Sequence, residues 1–316
     1  MSVLDNINEK IREKNSILIV THTNPDGDAV GSSLGLRAAL QKIDKKVDVY
    51  MPELNKNFSF LPGYNDILTN IEDTSVYDLC IALDSSDIER LGKAGEVFTK
   101  IEDTIVIDHH ITNQGFGDIT YLNAVASSTC ENIIVVLAAM DIAINKEIAE
   151  PLYTGILTDT GAFRYNTQPE TYEFVAMLIE TGIDAPRIYR TLFDLTTFSR
   201  QKLLSRVLER MERLEDGKVY YSYVTLKDLE EFGIDENDTD DLVNYGRNND
   251  GAEVSILIKE KVGCYKVSLR ANDYVDVSLV ASKFAGGGHV RAAGFESTLD
   301  MEGTKKAIIE EIRKQL

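Results

Sequence analysis

Ser16-Ile-Leu-Ile-Val-Thr21 runs straight into His22-Thr-Asn-Pro-Asp26-Gly-Asp28, and the reading of this stretch decides the fold. The first half is a short continuous apolar run, the pattern of a strand buried on both faces. The second half is a polar cluster that Pro25 and Gly27 hold in a tight, non-helical turn. A helix-like stretch over 28–43 follows, with Val30, Leu34, Leu36, Ala38 and Leu40 on its apolar side. Residues 47–51, 79–84 and 104–108 read as further strands. Continuous apolar runs separated by helical segments predict a mostly parallel sheet flanked by helices, with ligands bound at the C-terminal edge of its strands.

The ends of these runs carry the chemistry. Asp84 closes Leu79-Cys-Ile-Ala-Leu, Asp108-His109-His110 closes Ile105-Val-Ile, and Asp159 follows Gly155-Ile-Leu-Thr. An Asp at the end of a buried apolar run is costly unless something pairs with it. Imidazole mixed with carboxylate suits divalent ions of intermediate hardness, such as manganese, rather than a thiolate zinc site. Taken singly, each motif has a plainer reading: Asp28 as a helix cap, His22 as a polar strand end. Taken together they point to a dinuclear site. Two divalent ions would balance Asp26, Asp28, Asp84 and Asp159, so a phosphate ester needs further donors. Arg270, Arg291, His110 and His289 are the candidates.

The chain has 316 residues and a net charge of −19, with no Lys/Arg-rich stripe. That balance argues against long nucleic acid as a partner, although solubility alone explains it equally well. The 3 cysteines, Cys80, Cys130 and Cys264, are widely separated and read as reduced thiols of a cytoplasmic protein. No apolar stretch approaches the roughly 18 residues a bilayer requires, and no secretion signal is read at the N-terminus. No membrane partner is expected.

Residues 128–182 read as mostly helical, with Asn145 as a cap and Pro151 in a first helical turn. Residues 199–215 form an amphipathic pattern with Leu203, Leu204, Val207, Leu208 and Met211 on one face. It reads as a helix connecting two domains, or else as a dimer-forming helix, which keeps a homodimer open. Beyond it, strands are expected over 218–225, 253–259 and 264–270, the last two joined by a hairpin at Lys261-Val-Gly263. A helix over 276–285 leads into Gly286-Gly287-Gly288-His289, and a terminal helix spans 301–316. The glycines let backbone N–H groups approach phosphate or base, or else make a flexible turn. Arg270 is placed to clamp a phosphate or to pair with a surface acid. Ser127 and Ser128 bind phosphate or cap the following helix.

Through His22/Asp26/Asp28, Asp84, Asp108-His109-His110 and Asp159 the chain resembles the DHH phosphoesterase superfamily. Gly286-Gly287-Gly288-His289-x-x-Ala292-Ala293-Gly294 resembles the associated DHHA1 domain. The resemblance spans nearly the whole chain and is strongest to the bacterial nano-RNase/pAp-phosphatase branch. It implies an α/β fold: a DHH catalytic domain over 1–190, a helical linker over 191–215, and a smaller α/β DHHA1 substrate-binding domain over 216–316. The active site would lie in the interdomain cleft. The implied reaction is metal-dependent hydrolysis of short oligoribonucleotides, dinucleotides and 3′-phosphoadenosine 5′-phosphate. Two Mn2+ ions, with Mg2+ or Co2+ as substitutes, would activate a bridging water for attack on phosphorus.

The same resemblance implies roles for single residues. His22, Asp26 and Asp84 would hold one ion. Asp28, Asp84, His109 and Asp159 would hold the other, with Asp84 bridging. Asp108 would orient an imidazole, and His110 would face the scissile phosphate. Gly286, Gly287, Gly288, His289, Arg270, Arg291, Ser127 and Ser128 are the expected substrate residues. Two rival readings are a cyclic or linear di-AMP phosphodiesterase of the same superfamily and a non-catalytic nucleotide- or RNA-binding protein. The intact ligand set speaks against the second.

Overall fold

The strand β1 (Ser16–Thr21) buries side chains on both faces: Ile17 and Ile19 enter one apolar cluster, Leu18 and Val20 another. Only an uninterrupted apolar run can do this. The computed structural model describes residues 2–316, apart from the side chains at 236–238 and 240. The chain divides into two units, Met1–Leu195 and Thr196–Leu316. Among the described residues no helix is long and apolar enough to cross a membrane.

In the first unit β1 is joined by β2 (Lys46–Tyr50), β3 (Leu79–Leu83), β4 (Thr104–Asp108) and β5 (Ile119–Leu122). All neighbours are parallel, in the order β2-β1-β3-β4-β5. The helices are α1 (Val3–Glu13), α2 (Gly27–Gln41), α3 (Lys93–Phe98), α4 (Thr129–Ala139), α5 (Lys146–Asp159), α6 (Pro169–Glu180) and α7 (Ala185–Tyr189). Ile17, Ile19, Ile81, Ile105 and Ile107 share one cluster with residues of α1, α2, α4 and α5. Leu18, Val20, Cys80, Ala82 and Val106 pack with Ala94, Val97 and Phe98 of α3. The strand order reverses between β1 and β3, so the chain leaves their C-terminal ends in opposite directions and opens a crevice there. His22 follows β1 and Asp84 follows β3.

Close approach of α2 and α5 completes that edge. Gly27, Gly31 and Gly35 recur at four-residue intervals along α2 and face α5. A Cβ on Gly31 would stand 2.4 Å from the Pro151 carbonyl oxygen. Asn145 caps α5 by accepting from the Ile148 N–H at 3.1 Å, as expected. Pro151, however, lies inside α5 rather than in its first turn. Its missing N–H interrupts one rung of the helix. Asp159 ends this helix instead of a strand. The α2 cap is Asp26, not Asp28.

The second unit comprises α8 (Phe198–Glu209), β6 (Glu212–Leu214), β7 (Val219–Val224), α9 (Leu226–Phe232), α10 (Asn244–Arg247), β8 (Val254–Lys261) and β9 (Cys264–Ala271), then α11 (Val277–Ser282), β10 (Gly287–His289), β11 (Ala292–Ser297) and α12 (Met301–Arg313). The sheet order is β10-β11-β9-β8-β7-β6, with β7–β8 parallel and the other pairs antiparallel. Its inner side chains, among them Tyr221, Ile256, Leu269 and Phe295, pack against Val280, Ile308 and Ile312. The segment read as a connector forms α8, whose Leu203 and Val207 are buried with Val224, Leu242, Val243 and Leu257 of this unit. The helix expected over 276–285 is shorter, with Asp276 as its cap. The triple glycine is neither a flexible turn nor a loop. It enters an edge strand, with Gly287 opposite Gly294 and Gly288 opposite Ala293.

Candidate metal centre

The C-terminal edge of the first sheet brings six predicted side chains together. His22 Nε2 lies 3.6 Å from Asp84 Oδ2 and 3.9 Å from Asp26 Oδ1. His109 Nε2 lies 3.6 Å from Asp84 Oδ1, 3.5 Å from Asp159 Oδ2 and 3.9 Å from Asp28 Oδ2. His22, Asp26 and Asp84 form one group able to hold a metal ion, and Asp28, His109 and Asp159 another. Asp84 faces both, one oxygen to each. Both imidazoles are oriented through their second nitrogen. His22 Nδ1 meets the Thr23 carbonyl at 2.7 Å, and His109 Nδ1 meets that of Ala126 at 3.3 Å. Donation from Nδ1 leaves each Nε2 lone pair to the cluster, the usual arrangement of a ligating histidine.

The electrostatics fit divalent cations. Asp28 and Asp84 are 1% and 2% exposed and lie among other carboxylates. Burial pushes the Asp28 carboxyl well up, and the negative charges of Asp84 and Asp159 push it further. Burial likewise raises Asp159 to about 6, with His109 opposing. Burial disfavours a charged His22, yet Asp26 and Asp84 outweigh it and raise the ring to about 10. Oxygen and imidazole donors that must otherwise hold protons or repel one another are the donors a divalent ion takes.

Asp108 and His110 form a separate pair beside this cluster. His110 Nδ1 lies 2.7 Å from Asp108 Oδ1, which raises the imidazole above its usual range. His110 Nδ1 also lies within 3.7 Å of Asp84, and Asp84, His109 and His110 make a third candidate group. The Asp108 contact already occupies that nitrogen. Burial opposes ionisation of Asp108, but donation from His110 and Asn113 holds it below the usual carboxylate range.

Several contributors escape sequence reading. Asn113 Nδ2 donates to Asp108 Oδ2 at 2.8 Å and to the Ser85 carbonyl at 3.0 Å, tying the ends of β3 and β4 together. Thr129 and Cys130 donate their N–H groups to Asp28. Asn132 donates to the Asp108 carbonyl at 2.9 Å. Only the Ser-Ser-Thr run at 127–129 hinted at a helix start there. Ser128 caps α4, and Ser127 hydrogen-bonds the buried Glu131 carboxylate through both N–H and hydroxyl. Both serines are buried, and this capping network occupies them.

The expected substrate residues of the second unit are spread over β9, β10 and the following turn. Arg270, Gly287 and Gly288 line a pocket of about 440 Å³ together with Lys266, Ser268 and Phe295. Gly286 and Gly288 are required by close packing, since a Cβ on either would stand 2.3–2.4 Å from β11 atoms. Gly287 faces open space. His289 is exposed. Arg291 donates to the backbone carbonyls of Val275 and Asp273, so its guanidinium braces the loop before α11.

Comparison with known proteins bears on this site. The model of the DHH family, N-terminal domain, matches residues 16–156, and that of the DHHA1 domain matches 216–316. A Thermus thermophilus protein named bifunctional oligoribonuclease and PAP phosphatase NrnA is 32% identical over 95% of this chain and 90% of its own length. The chain belongs to the DHH family. It is therefore a phosphoesterase of DHH/DHHA1 architecture, with the parallel sheet carrying the DHH residues and the mixed sheet forming the DHHA1 unit. The crystal structure of an exopolyphosphatase-related protein from Bacteroides fragilis is 31% identical, with a TM-score of 0.88 over 99% of this chain and 96% of that one. The cyclic-di-AMP phosphodiesterase PdeA of Listeria monocytogenes is 25% identical over 98% of this chain but only 48% of its own length.

Proposed function

We propose that this DHH phosphoesterase hydrolyses short oligoribonucleotides and 3′-phosphoadenosine 5′-phosphate with two Mn2+ ions. The Thermus relative's name supports the substrate class. The observation that carries the reading is the convergence of buried Asp28 and Asp84 with His22, Asp26, His109 and Asp159 on one strand edge. His22, Asp26 and Asp84 would hold one ion; Asp28, His109 and Asp159, with Asp84 shared, would hold the other. When bound, the ions supply an activated water and positive charge for the phosphoryl oxygens.

The chain's own residues do the remaining work. Asp108 keeps the proton of His110 on Nδ1 and favours the charged ring, so Nε2–H is the donor offered to a phosphoryl or leaving oxygen. Asn113 holds Asp108 in that orientation. On the DHHA1 unit, Arg270, His289 and the backbone at Gly286, Gly287 and Gly288 bind the nucleotide portion, with Arg291 keeping that region in place. A net charge of −19 favours small ligands over long strands. The unpaired cysteines, two of them buried, fit a reducing cytoplasm.

The test is hydrolysis of 3′-phosphoadenosine 5′-phosphate, a diribonucleotide, a long single strand, cyclic di-AMP and pyrophosphate, side by side, with Mn2+ and with chelator. Manganese-dependent release from the first two is expected. Turnover confined to cyclic di-AMP would transfer the reading to the Listeria relative's activity. Negligible release from every substrate would leave a binding protein.

A further inference from the structure

We infer that Thr129 is a positioning residue that sets the mutual orientation of Asp28 and Asp84. It is the first residue of α4 and is fully buried. Its N–H donates to Asp28 Oδ2 at 2.6 Å, and its hydroxyl donates to Asp84 Oδ1 at 3.1 Å. The next N–H, of Cys130, donates to Asp28 Oδ1 at 2.9 Å. Asp28 arrives on α2 and Asp84 at the end of β3, so one residue of a third element holds both carboxylates.

Two buried carboxylates side by side repel, and a carboxylate rotates readily about its terminal torsion. Backbone donors at the start of α4 fix Asp28 whatever side chain stands at 129. Asp84 depends on the Thr129 hydroxyl for the orientation of the oxygen that faces His109 Nε2 at 3.6 Å. Turning that oxygen also turns its twin, which faces His22 Nε2 at 3.6 Å. The hydroxyl thus acts on both donor groups through the one carboxylate they share. This inference rests on the two-ion reading above. Outer partners of metal ligands typically contribute tenfold to hundredfold in affinity.

The experiment is a calorimetric titration of Mn2+ alone into the metal-free full chain. Binding by the wild type tests the two-ion reading itself; no binding there removes that reading and the inference with it. Thr129→Val keeps the shape and removes the hydroxyl. Thr129→Ser keeps the hydroxyl and removes the methyl. Both retain the backbone donors to Asp28. The expected result is a Kd raised roughly 10–100-fold in Thr129→Val, with near-wild-type binding in Thr129→Ser and similar thermal midpoints for all three metal-free proteins. Wild-type affinity in Thr129→Val, or equal weakening in both variants, overturns the inference and leaves Thr129 a packing residue. Should Thr129→Val not fold, Thr129→Ala against Thr129→Ser poses the same contrast: weak binding in Ala alone supports it, equal binding overturns it.

Discussion

Asp84 has a left-handed backbone, with φ of 56°, at the end of a fully buried strand. Asp tolerates this conformation better than most side chains, and here its two carboxylate oxygens face His22 and His109. Asp84→Asn keeps the size and removes the charge both ions would share. Activity should fall by more than about 10³-fold, beyond the roughly 10–100-fold loss of an outer partner. Steady-state rates with Mn2+ check this, and near-wild-type turnover would contradict the shared role. The residues that converge on this edge were legible because imidazole and carboxylate seldom end apolar runs by chance, and four runs ended that way. Asn113 and Thr129 were not. Asn and Thr are ordinary turn and cap residues, and their partners lie in segments whose proximity only the fold creates.

At the scale of elements, α2 and α5 deliver Asp28 and Asp159 to the edge that β1 and β3 define. Gly31→Ala would place a methyl 2.4 Å from the Pro151 carbonyl and push the helices apart. A stability loss of about 1–3 kcal/mol is expected, with weakened Mn2+ binding, by denaturant melts and metal titration. Unchanged values would mean that the helices yield without moving the ligands. In the second unit, buried Asp228 joins α8 to α9 through Arg206 and Arg210 and forms the capping box of α9. Burial alone would raise its carboxyl, but Arg210, Thr225 and Arg206 hold it well below the usual range. A depressed folded-state value means the stabilisation is present above the unfolded value of about 4 and is lost as pH falls below it. Asp228→Asn should cost about 2 kcal/mol at neutral pH, a gap that narrows in acid; a pH-independent gap would contradict the assignment. Strands β1 to β4 could be read from their apolar runs. The short, half-exposed β5 and the glycine-rich β10 could not, because neither buries enough side chain to leave a periodic signal.

At the scale of the molecule, a −19 chain concentrates several carboxylates at one buried edge and must offset their repulsion. Cation binding to the folded state would do so. At a hundredfold excess over Kd each independent site adds about 2.7 kcal/mol to stability. The wild-type melting midpoint should therefore rise with Mn2+ and return with chelator, and that of Asp84→Asn should respond far less. Equal shifts in both would place the ions elsewhere. The two-unit organisation was visible in the change from parallel-sheet runs to alternating strands. The allegiance of α8 was not, since an amphipathic stripe does not say which partner covers it. The most direct measurement is anomalous diffraction at the manganese edge from crystals grown with Mn2+. A two-ion centre gives two peaks, one among His22, Asp26 and Asp84, the other among Asp28, Asp84, His109 and Asp159. No peak at this edge, or manganese bound only elsewhere, would contradict it.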